Sequence, residues 1–180
     1  MQLSDVKLFS PEIILIFGSI FILLYGIIVT NSKESNKKIL YITLVSLISS
    51  FYCSIYIVDV GTNSFNNLLN NDLYTLFFKI LAFTGTIIIT YISYNYLKDL
   101  DILKPEFFFL ILISLAGILI LISSRNIMSM YLGLELQSIC LYILAAYRKY
   151  DIKSSESGVK YFIIGALSSG ILLYGLSIIY

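Results

Sequence analysis

The stretch from Pro105 to Ser124 reads "PEFFFLILISLAGILILISS" and contains one charged residue, Glu106. A helix of about 20 residues crosses the roughly 30 Å hydrocarbon layer of a bilayer, because each residue adds about 1.5 Å. Runs such as "GILILIS" do not show the apolar–polar alternation of membrane β-barrel strands, so a helix is favoured. The stretch therefore predicts a transmembrane helix and sets the fold class of the chain.

The composition of the whole chain agrees with a membrane location. Of 180 residues, 58% are apolar and 13% are charged, whereas a soluble domain has about 45–50% and about 25%. The net charge of +1 leaves no basic surface for nucleic acid. The chain has no His, and Cys53 and Cys140 lack CxxC spacing, so no disulfide, zinc or iron–sulfur site is predicted.

The apolar residues divide into six spans, at about 13–30, 39–58, 74–97, 107–122, 126–147 and 158–180. Backbone groups in lipid must be satisfied within each span, so we predict an all-α integral membrane protein with six transmembrane helices. The three-residue link at 123–125 makes the fourth and fifth spans an antiparallel hairpin. The leader lacks a small-residue cleavage site, so we expect a retained first helix and one membrane domain over residues 1–180.

Lysine and arginine are distributed unequally between the links that join the spans. The first, third and fifth links hold eight basic residues: Lys33, Lys37, Lys38, Lys98, Lys104, Arg148, Lys149 and Lys153. The N-terminus and the second and fourth links hold two, Lys7 and Arg125. The positive-inside rule therefore places the odd-numbered links in the matrix or cytoplasm and both chain ends on the outer side.

Three ionisable residues lie within the predicted spans: Lys79, Glu135 and Lys160. Lys79 lies about 8 Å inside the third span, so we expect its long side chain to reach the headgroups. For Lys160 the same explanation and a functional role are both open. The sequence "SSES" can cap a helix near Ser155, which would place Lys160 one to two turns inside it.

Glu135 is the residue that most suggests a function. It lies about 14 Å from either end of the fifth span, and an ionised acid there costs about 2.5–3.5 kcal/mol or more. Proton or ion handling is one reading; a protonated Glu135 that links helices and a lipid or quinone contact are the others. Tyr131 and Ser138 fall on the same helix face. Lys160 differs in depth by about 10 Å, so a hydrated path between the two is expected rather than an ion pair.

Two stretches resemble a known family. "LGLELQSICLYILAAYRK", from Leu132, and "SSESGVKYFIIGALSSGILLYGLSIIY", from Ser154, are similar to subunit 2 of proton-pumping NADH:quinone oxidoreductase (respiratory complex I). This is the antiporter-like subunit called N in bacteria. Upstream, "PEIILIFGSIFILLYG", "FFKILAFTG" and the Pro105–Ser124 stretch resemble its first, third and fourth helices.

The resemblance implies which residues transfer protons. Glu135 matches the fifth-helix glutamate of the family's proton channel, and Lys160 matches a lysine near the start of the sixth helix. The family pairs that glutamate with a seventh-helix lysine, and further lysines follow on later helices. Those helices come after Tyr180, so we expect either a split gene, with a second chain carrying the C-terminal helices, or a truncated sequence.

The resemblance also implies the setting. The chain would be a non-redox subunit of NADH:ubiquinone reductase, and FMN, iron–sulfur clusters and ubiquinone would bind other subunits. Expected partners are other complex I membrane subunits and membrane lipids. Abundant Ile, Tyr, Phe and Asn suggest an AT-rich genome, so the mitochondrial inner membrane is expected, with a bacterial plasma membrane as the alternative. A multisubunit cation/proton antiporter subunit and a purely structural subunit remain alternative functions.

Overall fold

The part of the chain that the structure describes contains six long helices. The computed structural model describes residues 9–28, 33–56, 63–64 and 69–179. The helices are α1 Ser10–Ile28, α2 Lys33–Tyr56, α3 Leu73–Asp99, α4 Pro105–Ser123, α5 Ile127–Ala145 and α6 Ile152–Ile179. Each contains a stretch long and apolar enough to cross a membrane. The predicted all-α fold with six transmembrane helices is confirmed.

The largest boundary differences are at the starts of α2 and α6. Both helices begin six residues before the predicted spans, at Lys33 and Ile152. At α6 the Asp151 carboxylate accepts a hydrogen bond from the Lys153 amide at 3.1 Å and caps the first turn. Hydropathy marks only the apolar part of a helix and misses polar turns that continue it. The predicted ends at residues 30, 58 and 180 lie outside the described residues.

A short β-hairpin lies between α2 and α3. Its strands, β1 Asn63–Ser64 and β2 Leu69–Asn70, are antiparallel with Asn63 opposite Asn70. Leu69 also forms a bridge with Ser124, in the link between α4 and α5. We call this end of the bundle, where α1, α3 and α5 begin, the hairpin end. The opposite end carries the lysine-containing links and is called the lysine-rich end.

α4 is the central helix of the bundle. It packs against α1, α3 and α5, and α1 also packs against α2. Leu112, Leu115 and Leu119 of α4 are buried together with Leu15 of α1 and Phe83 of α3. α6 packs against α5, and among its described residues Gly158 is the buried one. The core therefore lies among α1 to α4, and α6 lies at one edge.

A close crossing joins α4 and α5 through two glycines. A Cβ atom on Gly133 would lie 2.7 Å from the Leu121 amide nitrogen and 2.9 Å from the Gly117 carbonyl oxygen. A Cβ atom on Gly117 would lie 2.8 Å from the Gln137 amide nitrogen. Small residues let membrane helices approach until their backbones touch. The crossing therefore holds α5 firmly against the central helix.

Tyr147 fixes the other end of α5. Its hydroxyl donates to the Ile102 carbonyl at 2.9 Å and accepts from the Lys104 amide at 3.1 Å. Its ring meets Phe107 edge-on at a centroid distance of 5.3 Å. These contacts join the α3–α4 link to the end of α5, so α5 is anchored at both ends of its contact with α4.

The glycine crossing can be tested with Gly133→Ala. The added methyl group meets backbone atoms that cannot move separately, so we expect the free energy of unfolding to fall by about 1–3 kcal/mol. Thermal unfolding of the protein in detergent measures the change. Gly85→Ala is the matched control, because its Cβ would meet nothing within 4 Å. Equal stability of the two variants would contradict the proposed packing role.

Candidate functional site

Glu135 lies near the middle of α5. It is about 12 Å along the helix from Ile127 and about 15 Å from Ala145, and its side chain is partly exposed. The Tyr131 hydroxyl donates to Glu135 Oε1 at 3.1 Å. The predicted shared face is therefore confirmed for Tyr131. Ser138 donates instead to the Glu135 backbone carbonyl at 3.0 Å, so it does not hold the carboxyl group.

Ser169 of α6 lies near the Tyr131 side chain, and its hydroxyl donates to the Ala166 carbonyl of its own helix at 3.2 Å. Within α5, the hydrogen bond from Tyr131 fixes the direction of the Glu135 carboxyl group.

Glycines on α6 let α5 come close. A Cβ atom on Gly165 would overlap the Tyr142 hydroxyl, and one on Gly158 would overlap the Ala146 side chain. Tyr142 also meets the ring of Tyr161 edge-on at 4.9 Å between centroids. These small residues therefore let α5 and α6 pack closely.

Lys160 lies on α6 and is paired with Glu156 of the same helix. The Lys160 Nζ to Glu156 Oε1 distance is 2.6 Å, and the two side chains are 69% and 58% exposed. Gly158 lies beside Ala146, so Lys160 is about 13 Å away from Glu135 in depth. The structure therefore does not bring the two predicted proton-transfer residues together.

A buried ion pair near the hairpin end was not predicted. Lys79 Nζ of α3 lies 3.1 Å from Glu12 Oε1 of α1, and the side chains are 4% and 1% exposed. Lys79 also donates to Asn71 Oδ1 at 3.0 Å. The prediction that Lys79 reaches the headgroups is wrong, because a carboxylate on another helix compensates its charge inside the protein.

The sequence held a weak signal for this pair. Glu12 follows Pro11 at the start of the first span, and an acid in the first turn of a helix is commonly explained by the helix dipole. Lys79 is 67 residues away. To predict that Glu12 and Lys79 pair, one must know that α1 and α3 begin at the same end of the bundle and that these two side chains face each other.

The buried pair gives a direct prediction for stability. Lys79→Met leaves the Glu12 carboxylate buried without its cation, so we expect the free energy of unfolding to fall by about 3–5 kcal/mol. Lys160→Met is the matched control, because the Lys160–Glu156 pair is exposed, and its effect should be much smaller. Thermal unfolding in detergent compares them. If Lys160→Met were the more damaging change, Lys79 would have no special role.

Comparisons with known proteins identify relatives of the chain. Residues 124–180 match the transmembrane family described as NADH:quinone oxidoreductase/Mrp antiporter. The chain is 38% identical to NADH-quinone oxidoreductase subunit N of Pelagibacter ubique (strain HTCC1062), over 99% of this chain and 37% of that protein. It is 33% identical to subunit N of Rhodobacter capsulatus, over 100% of this chain and 37% of that protein.

The chain spans little more than a third of the length of these relatives. Subunit N of Beijerinckia indica gives the same result, with 38% identity over 94% of this chain and 35% of that protein. The resemblance seen in the motifs around Glu135 is confirmed by these alignments. Along nearly its whole length, the chain is similar to the N subunits of NADH-quinone oxidoreductases, and its residues 124–180 match the NADH:quinone oxidoreductase/Mrp antiporter transmembrane family.

Proposed function

We propose that the chain is part of a proton-translocating membrane-arm subunit of NADH:ubiquinone oxidoreductase (complex I). The observation that carries the proposal is the Glu135 carboxyl group, about 12–15 Å from both ends of its helix and held by Tyr131. Intramembrane carboxyl groups are costly to keep and commonly belong to proton pathways. The similarity to N subunits over 99% of the chain gives the pathway its context.

The surroundings of Glu135 suit a group that changes its charge. The Tyr131 hydroxyl can donate to the ionised carboxylate, and the same phenol can stay in place when the carboxyl group is protonated. A neutral donor does not compensate a full negative charge in low dielectric. The charge of Glu135 would therefore follow the approach or departure of a nearby cation, and electrostatic coupling between such sites would carry protons onward.

The cation is proposed to come from helices beyond this segment. Glu135 is partly exposed and lies about 12–15 Å from both ends of its helix, and the Glu156–Lys160 pair lies on the exposed surface of α6. A charged carboxylate at the depth of Glu135 is unstable against lipid tails. We infer that further helices cover this face, from the same polypeptide or from a second chain, and supply the lysine that the family resemblance implies.

Lys160 is proposed to serve the same pathway less directly. Its pairing with Glu156 leaves its charge compensated, while its depth is about 13 Å from that of Glu135. A hydrated path over this distance can pass through water and hydroxyl groups rather than a direct contact. Lys160 would then accept a proton from the lysine-rich end and release it toward the centre of the membrane.

The redox chemistry is proposed to take place in other subunits. FMN, iron–sulfur clusters and ubiquinone would bind there, and this chain would contribute proton transfer alone. The partners would be other complex I membrane subunits and membrane lipids. The mitochondrial inner membrane and the outer-side placement of the chain ends stay predictions, because the named relatives are bacterial and no membrane orientation has been measured.

A second candidate is a subunit of a multisubunit cation/proton antiporter. The matching family includes Mrp antiporters, which supports this alternative. The named relatives are all NADH-quinone oxidoreductase N subunits, which supports complex I. Native purification separates the two, because complex I would bring flavin and iron–sulfur subunits with it.

Glu135→Gln tests the role of the central carboxyl group. Glutamine accepts the Tyr131 hydrogen bond but cannot titrate, so the assembled complex should form normally and pump fewer protons for each NADH oxidised. The Lys160→Ala change should have a weaker effect in the same assay. Glu106→Gln, at an exposed position, is the matched control. Undiminished pumping by Glu135→Gln would exclude a protonic role and favour a purely structural subunit.

The need for further helices gives a second test. Vesicles that contain only this segment should show no proton flux under a membrane potential, because Glu135 has no cation to drive release of its proton. The intact complex, reconstituted in the same lipid, should acidify or alkalinise the vesicle interior when NADH is supplied. Proton flux through the segment alone would contradict the proposal that other helices complete the pathway.

A further inference from the structure

The carboxyl group of Glu12 is only half satisfied. Its Oε1 atom accepts from Lys79 at 3.1 Å, while its Oε2 atom is buried with no hydrogen-bond partner among the described residues. The side chain is 1% exposed. An unpartnered oxygen on a buried carboxylate costs several times more than an ordinary hydrogen bond contributes. Something small that donates a hydrogen bond is therefore expected at Oε2.

Two further buried oxygens at the hairpin end have no protein partner in the described part of the chain. They are Asn70 Oδ1, in β2, and Ser123 Oγ, at the end of α4. The Leu69–Ser124 bridge holds these two segments together. Asn71, the next residue after Asn70, binds Lys79. Buried water makes about three hydrogen bonds to such groups, so the region between the hairpin and the ion pair is suited to water.

The other polar groups around Glu12 are already bound. On α2, the Ser50 hydroxyl donates to the Pro11 carbonyl at 2.8 Å, and Cys53 lies 3.1 Å from Ser10. In the link before α3, Asp72 accepts from the Asn70 amide at 2.6 Å. The cation that compensates Glu12 is therefore Lys79. The nearby groups are neutral hydroxyl, thiol and amide groups together with one further acid, Asp72, which is bound by Asn70.

We propose that Glu12 and Lys79 form a second buried proton-holding site, with water bound at Glu12 Oε2. One proton can move along the 3.1 Å hydrogen bond from Lys79 Nζ to Glu12 Oε1. The N–H bond breaks, an O–H bond forms, and the ion pair becomes an amine and a carboxylic acid with no change in net charge. Low dielectric reduces the energy difference between these two forms, because it destabilises separated charges.

The site lies toward the hairpin end, where Asn71, in the link before α3, binds Lys79. The water proposed at Oε2 would exchange protons with the solution on that side. Glu135 lies on α5, with the central helix α4 between α5 and α1. The Glu12–Lys79 site is therefore distinct from the Glu135 site and goes beyond the function proposed for it.

Infrared difference spectroscopy of the intact complex tests the proposal. In a Glu135→Gln background, the spectrum on acidification should contain, among the bands of other carboxyl groups, a protonated-carboxyl C=O band of Glu12 that shifts in D2O. We expect Glu12→Gln to remove this band and leave the others. Glu106→Gln is the matched control, because Glu106 also follows a proline at a helix start but is exposed; the band should persist there. A band unaffected by Glu12→Gln, or no such band at all, would overturn the proposal in favour of a static ion pair.

A second variant covers the case in which Glu12→Gln fails to fold. Glu12→Gln with Lys79→Met removes both charges, so no unpaired cation stays buried and assembly should recover. We expect the band to be lost in this double variant as well; its persistence would refute the assignment to Glu12. The readout does not involve pumping, so a negative result here leaves the proposed role of Glu135 untouched.

Discussion

The structure depends on the high cost of a charge that hydrocarbon surrounds. An unpaired charge cannot be left in the apolar part of a membrane, and the chain meets this constraint in two ways. Lys79 is enclosed with Glu12 among α1, α3 and the hairpin link. Lys160 is paired along its own helix with Glu156 and kept at the surface of the bundle. The charge of Lys79 is thus compensated by a buried acid, and the charge of Lys160 by an exposed one.

The helices of the segment form two parts that differ in how deeply they are packed. α1 to α4 surround a packed core, and close contacts such as that between Gly18 and Ser46 join α1 to α2. α5 is held on α4 by backbone contact at Gly117 and Gly133. α6 contacts α5 along one side and is otherwise exposed. α1 to α4 therefore form the packed core. α5 and α6 carry the candidate proton-transfer residues at the less buried edge of the bundle.

Hydropathy predicted six helices because a bilayer sets the minimum length of a membrane-spanning helix. The prediction was confirmed because each helix contains an apolar stretch of that length. Helical periodicity likewise placed Tyr131 beside Glu135, because residues four apart share a face. The prediction for Lys79 failed for a different reason. Its partner is 67 residues away, and a single sequence shows neither which helices are neighbours nor which faces meet. The start of α6 was misplaced because polar residues can extend a helix beyond the membrane.

The carboxyl groups of Glu12 and Glu135 differ in what controls their charge. Glu12 has a cation at 3.1 Å inside the same segment, so its two protonation forms can interchange by a short proton shift without outside help. Glu135 has a phenol at 3.1 Å, which orients the carboxyl group but does not balance its charge. A switch operated by other subunits needs the second kind of group, because its charge can follow a cation that approaches from outside the segment. Glu135 therefore suits a coupled pathway, while Glu12 suits a locally buffered site near the membrane surface.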